Sequence, residues 1–586
     1  MKKIINHPQD VVMEMCKGIA YAHPELEFHT KYKVITRKNK NIDKVSLVSG
    51  GGSGHEPAHA GFVGKGMLDA AVCGDVFASP SQIQVYQAIK ETTGKKGTLL
   101  IIKNYSGDIM NFKNAAYLAQ EDGIDVEYVK VDDDIAVKDS LYTVGRRGVA
   151  GTVFVHKVAG AAAEEGKNLA EVKEVALKAI CNVKSLGFAF SSCTVPAKGT
   201  PTFQLGEEEM EFGVGIHGEP GIKCEKIISA DELAERTVAE LVKELDLQKN
   251  EEAAVLINGF GSTPLQELYL LNHSVQNQLF ELNIRTPFVL VGNYMTSIDM
   301  AGASVSIMKL DEELKHLLMA DCNTPALKNI NVIENQGVNF KDSSSQITKE
   351  FNYEIEVDPK FAIVNNDRIT LENMIYMVDC MSACIIKNEI SFCELDSFAG
   401  DGDFGMSVAK GFRQLKQEWE SILKEQSQDI GTFLNACSLI IMEHCGGASG
   451  PIWGSAFRAA AKYAGAQKEL DINTFAGMMQ ASVKGIQATG ERSFGRGAIV
   501  GDKTLIDALV PSANCLSVCG KSETNLENSL TRAAQAAVLG AMETEKIVAR
   551  MGRAGTVGER SIGHPDAGAY GLGVIFTDVV QHLIFK

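Results

Sequence analysis

The most informative segment of the chain reads Glu394-Leu395-Asp396-Ser397-Phe398-Ala399-Gly400-Asp401-Gly402-Asp403-Phe404-Gly405. Its three aspartates lie within eight residues of one another. Mg2+ prefers oxygen ligands and keeps several waters while it binds a few carboxylates and substrate phosphates, so a compact group of aspartates suits it. Gly402 has no Cβ and lets the chain turn tightly enough for Asp401 and Asp403 to point the same way. The segment therefore predicts, in outline, a site for magnesium and a nucleotide.

The residues that follow, 406–412, show helical periodicity, and the start of a helix can bind a phosphate through its backbone N–H groups. A calcium-binding EF-hand loop is excluded because its twelfth position must hold a glutamate. That position is Phe412 when the count starts at Asp401, and Ser407 when it starts at Asp396. The plain alternative is a polar loop that only caps a helix, since Asp and Gly are ordinary turn residues.

Length and composition indicate a globular protein with several packing units. The chain has 586 residues, of which 45% are hydrophobic and 22% are charged, so about three or four cores are expected. A net charge of -17 argues against a nucleic-acid-binding face, which needs basic residues. The thirteen scattered cysteines fit reduced thiols, and neither a signal peptide nor an apolar run of roughly 18 residues is present. We expect a cytoplasmic protein without nucleic-acid or membrane partners.

Hydrophobic periodicity divides the chain into an α/β part and a helical part. Strand-like runs alternate with helical stretches up to about residue 185, and a second α/β lobe follows. We assign residues 1–330 to this α/β domain, with lobes at about 1–185 and 186–330, residues 331–365 to a linker and residues 366–586 to a helical bundle. The predicted helices of the bundle are 371–387, 405–424, 430–444, 455–464, 473–487, 504–509, 526–550 and 571–584.

A glycine-rich loop, Ser49-Gly50-Gly51-Gly52-Ser53-Gly54-His55-Glu56-Pro57, follows the first buried strand, where α/β folds place ligands. The loop lacks the lysine of an ATP P-loop, and its His-Glu-Pro end does not fit a dinucleotide-binding helix. Residues 55–59 match the H-E-x-x-H zinc string, but that string works only inside a helix, and Pro57 cannot occupy a helix interior. We therefore reject a zinc site here.

Two further glycine-punctuated polar segments, 101–108 and 213–221, each carry one candidate base, Asp108 and His217. By contrast, the run Asp132-Asp133-Asp134 is interpreted as a solvated turn, because consecutive carboxylates on an extended chain point to alternate sides.

Taken together, these segments resemble the dihydroxyacetone kinases over nearly the whole chain. The motifs of the first half are Gly50-Gly51-Gly52-Ser53-Gly54-His55-Glu56-Pro57, Lys103-Asn104-Tyr105-Ser106-Gly107-Asp108 and Glu211-Phe212-Gly213-Val214-Gly215-Ile216-His217-Gly218-Glu219-Pro220-Gly221. The motifs of the second half are Asp396 with Gly400-Asp401-Gly402-Asp403, Gly446-Gly447-Ala448-Ser449-Gly450-Pro451, Gly501-Asp502-Lys503-Thr504-Leu505-Ile506-Asp507, and Gly552-Arg553-Ala554 through Gly558-Glu559-Arg560 to His564-Pro565-Asp566-Ala567-Gly568. Each motif alone is weak evidence for the resemblance, but seven motifs in the order of the family on one chain are strong evidence.

The resemblance implies a two-lobed α/β substrate domain followed by an all-α eight-helix barrel that binds ATP and Mg2+. The Mg2+ ligands would be Asp396, Asp401 and Asp403. The nucleotide contacts would be Phe404, Gly405, Met406, Ser407, Ala448, Ser449, Gly497, Leu505, Arg553, Asp566, Ala567 and Gly568. Phe404 departs from the family pattern, where many relatives have histidine, but this residue is not a metal ligand.

For the substrate domain, the resemblance implies that a neutral nitrogen of His217 attacks a ketone carbonyl and holds dihydroxyacetone as a hemiaminal. The hydroxyls would be held by Gly52, Ser53, Gly54 and Lys103. Asp108 would accept the proton of the terminal hydroxyl, while His55 orients that hydroxyl or shares the role of base.

Three functions remain open at this stage. The leading hypothesis is an ATP-dependent kinase of dihydroxyacetone, expected to be a homodimer, in which a linker of about 40 residues lets the two domains meet within one subunit or across the dimer. The second is the same reaction on a related short ketose such as erythrulose, because a carbonyl-capturing histidine does not measure chain length. The third is a phosphorelay or sensor protein with permanently bound ADP.

Overall fold

The computed structural model describes residues 2–137, 145–219, 221–330, 332–335, 353–522, 524–552, 555 and 558–586. The chain forms two compact units, Met1–Ser343 and Ser344–Lys586, which are described separately below. Within the predicted linker, 331–365, residues 331 and 336–352 lie outside the described residues.

The first unit begins with a six-stranded sheet in the order β1-β2-β4-β3-β5-β6. Strands β3 to β6 run parallel, whereas β1 and β2 are antiparallel additions at one edge. The strands are β1 (Leu26–His29), β2 (Val34–Arg37), β3 (Ser46–Ser53), β4 (Ala70–Val76), β5 (Thr98–Lys103) and β6 (Val126–Val131).

A second six-stranded sheet has the order β11-β10-β12-β7-β8-β9, and only its β10–β11 pair is parallel. Its strands are β7 (Val183–Ala189), β8 (Glu209–Phe212), β9 (Lys223–Lys226), β10 (Glu252–Gly259), β11 (Arg285–Gly292) and β12 (Gly302–Leu310). A separate two-stranded pair joins β13 (Cys322–Asn323) to β14 (Lys328–Asn329).

Helices cover the faces of both sheets. They are α1 (Val11–Ala22), α2 (Gln82–Thr92), α3 (Ser106–Glu121), α4 (Thr152–Glu164), α5 (Leu169–Asn182), α6 (Ala230–Glu244), α7 (Leu265–Glu281) and α8 (Glu312–Met319). Helices α4 and α5 share one hydrophobic core with both sheets, while α2 and α3 cover the far face of the first sheet and α6 and α7 that of the second. Side-chain alternation explains this layering, because Leu99 and Ile101 face the shared core and Leu100 and Ile102 face α2 and α3.

The second unit is almost entirely helical. Its helices are α9 (Leu371–Lys387), α10 (Glu389–Asp396), α11 (Phe404–Gln417), α12 (Trp419–Glu425), α13 (Ile430–His444), α14 (Ser449–Ala464), α15 (Ile472–Phe494), α16 (Ile506–Lys521), α17 (Leu526–Glu543) and α18 (Ala567–His582). Two short strand pairs accompany them, β15 (Ile363–Val364) with β18 (Ile584–Phe585) and β16 (Ile369–Thr370) with β17 (Glu469–Leu470).

The eight longer helices form a closed ring. Each of α9, α11, α13, α14, α15, α16, α17 and α18 packs on the next in that order, and α18 packs back on α9. The fold class predicted from the sequence, an α/β region followed by an all-helical barrel, is therefore confirmed. None of the helices within the described parts of the chain is long and apolar enough to cross a membrane.

Several predicted helix boundaries are wrong. The sequence pattern missed α10 and ended the helix 504–509 ahead of Pro511. It also joined α11 and α12 into one helix, 405–424, which the structure divides at Glu418. Helix α16 continues through Pro511, although a proline there leaves the carbonyl of Asp507 without its N–H partner. That carbonyl lies against Gly540 of α17, where the absence of a side chain leaves room for it. Tertiary packing thus overrides the local stop signal.

Candidate active site

The polar segments of the first unit meet at the carboxyl ends of parallel strands. Strand β3 ends at Ser53, β4 leads into Phe77, and β5 ends at Lys103, three residues before α3 begins. Loops of the second sheet add His217, between β8 and β9, and Thr296, between β11 and β12. The carboxyl ends of parallel strands are the usual ligand sites of α/β sheets, because side chains and free backbone groups converge there.

The glycines of the first loop are required by close packing. A Cβ at Gly52 would lie 2.7 Å from the backbone nitrogen of Ala78, and one at Gly54 would lie 2.8 Å from the ring of Phe77. Gly54 also has a φ of +106°, which L side chains avoid. The hydroxyl of Ser53 donates to the carbonyl of Gly74 at 2.7 Å, so this side chain is engaged within the fold.

His55 and His217 face each other through their ring nitrogens. Nε2 of His55 lies 3.1 Å from Nε2 of His217, and Nδ1 of His55 lies 2.8 Å from the carbonyl of Thr296. A carbonyl only accepts hydrogen bonds, so Nδ1 of His55 carries a proton. In neutral His55 the lone pair is then on Nε2, where it accepts from His217. The pair is thus arranged for proton exchange between the two facing nitrogens.

Aromatic rings pack around this pair. The ring of His217 makes edge contacts with Tyr105 at 4.4 Å and with Phe77 at 5.2 Å between centroids, and Phe77 stacks on His55 at 5.2 Å. Burial lowers the pKa of both histidines, and the nearby Lys103 ammonium lowers them further. Both rings are therefore neutral near pH 7, which is the state that a nucleophile or base requires.

Lys103 and Asp108 complete the polar floor of the site. Both side chains are buried, and among the described residues neither Lys103 Nζ nor Asp108 Oδ1 has a hydrogen-bond partner. A Cβ at Gly51 would lie 3.3 Å from Asp108 and 3.4 Å from Lys103 Nζ, so the two groups converge beside that glycine. Burial raises the pKa of Asp108 and lowers that of Lys103. Buried polar atoms left unpaired in this way are suited to a polar ligand.

The loop that carries His217 is held by an ion-pair network that the sequence did not reveal. Arg147, with 1% of its surface exposed, donates to Asp134 at 2.6 Å, to Glu219 at 3.2 Å and to the carbonyl of Gly213 at 2.8 Å. Glu219 in turn accepts the backbone N–H of His217 at 2.9 Å. The network fixes the loop on both sides of His217.

The interpretation of Asp132-Asp133-Asp134 as a solvated turn is therefore wrong. Asp133 and Asp134 are buried, and Asp133 accepts the backbone N–H groups of Val149 and Gly151, both at 2.8 Å. Asp133 and Asp134 meet protein instead of water, because these N–H groups and the guanidinium of Arg147 compensate their buried charges.

The two histidines of the H-E-x-x-H string belong to different pairs. No helix spans residues 55–59, and His59 Nδ1 lies 3.0 Å from Nε2 of His156, behind the site, whereas His55 contacts His217. The string therefore does not form the helical zinc motif.

In the second unit, the three aspartates of the opening segment come together. Asp396 ends α10, Asp403 precedes α11, and Asp396, Asp401 and Asp403 each place one carboxylate oxygen within 4.8 Å of the others. Gly402 has a φ of +74°, and a Cβ at Gly400 would overlap with the carboxylate of Asp396. The two glycines thus allow the aspartates to converge. Three carboxylates with room for phosphate oxygens and water are a donor set that fits Mg2+.

A cavity of about 210 Å3 opens beside these aspartates. Four helices start at its wall, namely α11, α14, α16 and α18, and helix starts favour bound anions. The predicted nucleotide residues that line the cavity are Phe404, Ser407, Ala448, Ser449, Leu505, Asp566, Ala567 and Gly568. Gly405, Met406 and Gly497 are not among its lining residues, and Arg553 lies outside the described residues. The N–H of Met406 contacts Cys393 Sγ at 3.2 Å.

Two ionisable residues of the cavity wall, Asp566 and Lys503, have unusual surroundings. Burial and the neighbouring Asp507 raise the pKa of Asp566 to about 7, although its carboxylate accepts the N–H of Ala569 at the start of α18. Lys503 is buried, and its ammonium donates to the carbonyls of Thr544 and His564 at 2.7 and 2.8 Å. Lys503 therefore fixes the loops that form this wall.

Sequence reasoning did not assign a role to Tyr105, Phe77, Arg147, Lys503 or Asp507. Tyr105 and Lys503 lie inside motifs that it did single out, so their position was a usable signal. For Arg147 the signal was weaker, since the Gly145-Arg146-Arg147-Gly148 run resembles an ordinary charged turn. Its burial could be recognised only in the folded chain.

Comparison with known proteins finds one known domain in each unit. Residues 17–326 match the Dak1 domain and residues 398–581 the DAK2 domain. A dihydroxyacetone-binding subunit DhaK of a PTS-dependent dihydroxyacetone kinase from Listeria innocua is 52% identical, over 53% of this chain and 95% of its own length. An L-erythrulose kinase from Pectobacterium atrosepticum is 32% identical over 99% of this chain and 96% of its own.

Among solved structures, the dihydroxyacetone kinase of C. freundii in complex with AMP-PNP and Mg2+ is 30% identical, with a TM-score of 0.58 and 99% coverage of both chains. The two domain matches, together with a relative that matches over nearly the whole chain, establish the family relationship. The chain therefore belongs to the dihydroxyacetone kinase family, with its Dak1 and DAK2 domains joined in one polypeptide.

Proposed function

We propose that this protein transfers the γ-phosphate of ATP to a terminal hydroxyl of dihydroxyacetone, which is held as a hemiaminal on His217. The observation that carries the proposal is the convergence of the neutral His55–His217 pair with Lys103 Nζ and Asp108 Oδ1, two buried polar atoms without partners among the described residues. Such a site binds a small molecule that offers one carbonyl carbon and several hydroxyls.

Capture of the ketone uses the facing nitrogens of the two histidines. His55 Nε2 takes the proton of His217 Nε2, whose electron pair then forms a bond to the carbonyl carbon. The π bond of the carbonyl breaks, and its oxygen receives the proton from His55. The product is a neutral hemiaminal with a new C–N bond and a hydroxyl. Edge contacts with Tyr105 and Phe77 keep the ring of His217 in place for this step.

Asp108 and Lys103 act on the hydroxyls of the bound ketose. The unpaired oxygen of Asp108 accepts the proton of the terminal hydroxyl as that oxygen attacks phosphorus, and its raised pKa brings it closer to the working pH of a base. Lys103 donates to a hydroxyl and compensates the charge of Asp108. The backbone of Gly52, Ser53 and Gly54 lies beside them, at the end of β3.

The second unit supplies the nucleotide site. We assign the phosphates to the starts of α11 and α14, where backbone N–H groups and helix dipoles favour negative charge. Mg2+ held by Asp396, Asp401 and Asp403 would neutralise the phosphate oxygens. Asp566, Ala567 and Gly568 border the same cavity at the start of α18. The active form is proposed to be a homodimer in the cytoplasm.

A related short ketose is the second candidate substrate. The observation that favours it is the L-erythrulose kinase from P. atrosepticum, which matches this chain over nearly its full length. Capture by His217 requires a carbonyl and does not depend on the number of carbons beyond it.

The deciding experiment is a turnover assay with purified full-length protein, ATP, Mg2+ and a panel of three- and four-carbon ketoses. We expect phosphorylation without any other protein, fastest with dihydroxyacetone. Faster turnover of erythrulose would favour the second candidate. Turnover that appears only after a phosphocarrier system is added, with ADP copurifying, would overturn the proposal in favour of a phosphorelay.

A further inference from the structure

A group of metal-binding side chains lies on α9 and α18, the first and last helices of the ring. Helix α9 carries Cys380 and Cys384, one turn apart, and α18 carries Asp578 and His582, also one turn apart. Residues at this spacing share a helix face. The two pairs thus lie where the first and last helices of the ring pack against each other.

Two of the distances between the donor atoms are close to those of a tetrahedral metal site. Cys380 Sγ lies 3.3 Å from Asp578 Oδ2, and His582 Nδ1 lies 3.6 Å from the same oxygen. Cys380, Asp578 and His582 each offer one donor atom within 4.8 Å of the others. In a zinc site, bond lengths near 2.3 Å to sulfur and 2.0 Å to nitrogen or oxygen put tetrahedral ligands about 3.3–3.5 Å apart. The three side chains therefore need little movement to bind one ion.

The group is buried on one side and open to solvent on the other. Cys380 is buried, whereas the side chains of Asp578 and His582 are 34% and 45% exposed. An ion can therefore enter from solvent, and a fourth position remains for water. Rigid helices on both sides hold the donors in register.

We propose that Cys380, Asp578 and His582 bind one soft divalent cation such as Zn2+, which links the first and last helices of the barrel. The thiol of Cys380 loses its proton to solvent as its sulfur binds the ion. The ring of His582 gives up the hydrogen bond from its Nδ1–H to the carbonyl of Asp578, 2.8 Å long, and the neutral ring then carries its proton on Nε2, so that Nδ1 can bind the metal.

The donor set separates this site from the magnesium site. Thiolate and imidazole ligands select zinc-like ions, whereas Asp396, Asp401 and Asp403 offer only the oxygen ligands that Mg2+ prefers. Because a bound ion stabilises the folded state only, Zn2+ should raise the thermal stability of the helical unit without acting in phosphoryl transfer. The inference is independent of the proposed kinase reaction.

Cobalt(II) titration of the full-length protein tests the proposal, with saturating Mg2+ and ATP present to occupy the carboxylate site. We expect one equivalent of Co2+ to give the thiolate-to-cobalt absorption band, and Zn2+ to displace it. Cys380→Ser should abolish the band, and His582→Gln should weaken Co2+ binding about 10-fold or more. Zn2+ at 100 times its Kd should raise the melting temperature by on the order of 5 °C.

Matched controls are Cys515→Ser and His444→Gln, which remove a thiol and an imidazole elsewhere in the same unit and should bind Co2+ as the wild type does. His582 is at the surface, so its variant will fold even if Cys380→Ser does not. Absence of the thiolate band in the wild type, or unchanged Co2+ affinity in His582→Gln, would overturn the proposal.

Discussion

The guanidinium of Arg147 donates to the carboxylate of Glu219 at 3.2 Å, and this carboxylate accepts the backbone N–H of His217 at 2.9 Å. A buried cation thus positions the proposed nucleophile without contacting its ring. Lysine cannot reproduce the contact, because its ammonium lacks the planar fork that reaches Asp134, Glu219 and the carbonyl of Gly213 together.

We therefore predict that Arg147→Lys reduces ketose affinity by on the order of 10-fold to 100-fold while ATP affinity stays unchanged. Isothermal titration with dihydroxyacetone and, separately, with Mg2+ and ATP measures both. Arg146→Lys is the matched control, because the side chain of the neighbouring Arg146 pairs with Glu244 at 2.8 Å and the variant makes the same chemical change. Equal ketose affinity in Arg147→Lys and wild type would show that the network does not position His217.

The second prediction concerns covalent capture. His217→Ala should lose the ketose adduct, which native mass spectrometry detects in the wild type, because the new bond forms to His217 Nε2. His273→Ala, an exposed histidine of α7, serves as control and should retain the adduct. An adduct that survives in His217→Ala would assign capture to another residue.

Capture should also persist below the pH at which an ordinary histidine becomes protonated. Burial lowers the pKa of His217, so its ring stays neutral and nucleophilic until the pH falls below that lowered value. Adduct yield at pH 6 should therefore equal the yield at pH 8, whereas a histidine with its usual pKa of about 6.5 would already be largely charged. A half-maximal yield near pH 6.5 would contradict the assigned environment.

The third prediction separates capture from turnover. Asp108→Asn should still form the adduct but lose turnover by about 10²-fold to 10⁴-fold, the usual contribution of a positioned base. In the wild type, burial raises the pKa of Asp108, so kcat should fall on the acid side at a pH above the ordinary aspartate value of about 3.9. The residual activity of Asp108→Asn should lack this acid limb. Turnover near the wild-type rate would transfer the role of base to His55.

The fourth prediction concerns the carboxylate cluster. Asp401→Ala or Asp403→Ala should remove ATP-dependent turnover and weaken binding of Mg2+ and ATP together, while capture of ketose persists. Three close carboxylates repel a nucleotide unless a cation is bound, so ATP should stabilise the wild type against heat only when Mg2+ is present. Glu394→Ala, which removes an exposed carboxylate just before Asp396, should behave as the wild type. ATP binding that is equally tight in EDTA would argue against a metal site.

The fifth prediction follows from the raised pKa of Asp566, about 7 in the folded protein. Because the folded state holds this proton more tightly than the unfolded chain, where the pKa is about 3.9, the wild type loses stability as the pH rises through that interval. Asp566→Asn cannot ionise and keeps an acceptor for the N–H of Ala569. Its stability relative to wild type should rise by on the order of 1–3 kcal/mol between pH 4 and pH 8.

Urea unfolding in EDTA, followed by tryptophan fluorescence, measures this difference. Both tryptophans of the chain, Trp419 and Trp453, are buried in the second unit, so the signal reports on that unit alone. A difference between variant and wild type that does not change with pH would show that Asp566 titrates normally.

The fold was predictable where local signals agree with packing. Helix α9 begins and ends at the predicted residues, and its start is fixed by a capping box formed by Thr370 and Asn373. Helix α16 was cut short because Pro511 is a strong local stop signal, and only its packing partner Gly540 in α17 explains why the helix continues. Boundaries set by contacts between distant residues cannot be deduced from the local pattern.

In the candidate sites, too, local sequence signals predicted some features, whereas others depend on contacts between distant residues. His55, Asp108 and His217 were identified because glycines and strand ends mark their loops, and the structure brings His55 and His217 into contact. Asp134 was dismissed because its partner Arg147 lies 13 residues away in a segment with no distinctive pattern. The three carboxylates of the second unit were predicted to lie together, and they do. Their role as magnesium ligands stays a prediction.

The contact between α18 and α9 also constrains how the helical unit folds. Strand β18 pairs with β15, about 220 residues earlier in the chain, so the barrel has a free edge until residues 567–585 emerge from the ribosome. The first helices of a nascent chain therefore keep their apolar faces exposed until synthesis reaches α18. Closure over such a sequence separation is entropically slow, so we expect the α/β unit to complete its folding before the barrel closes.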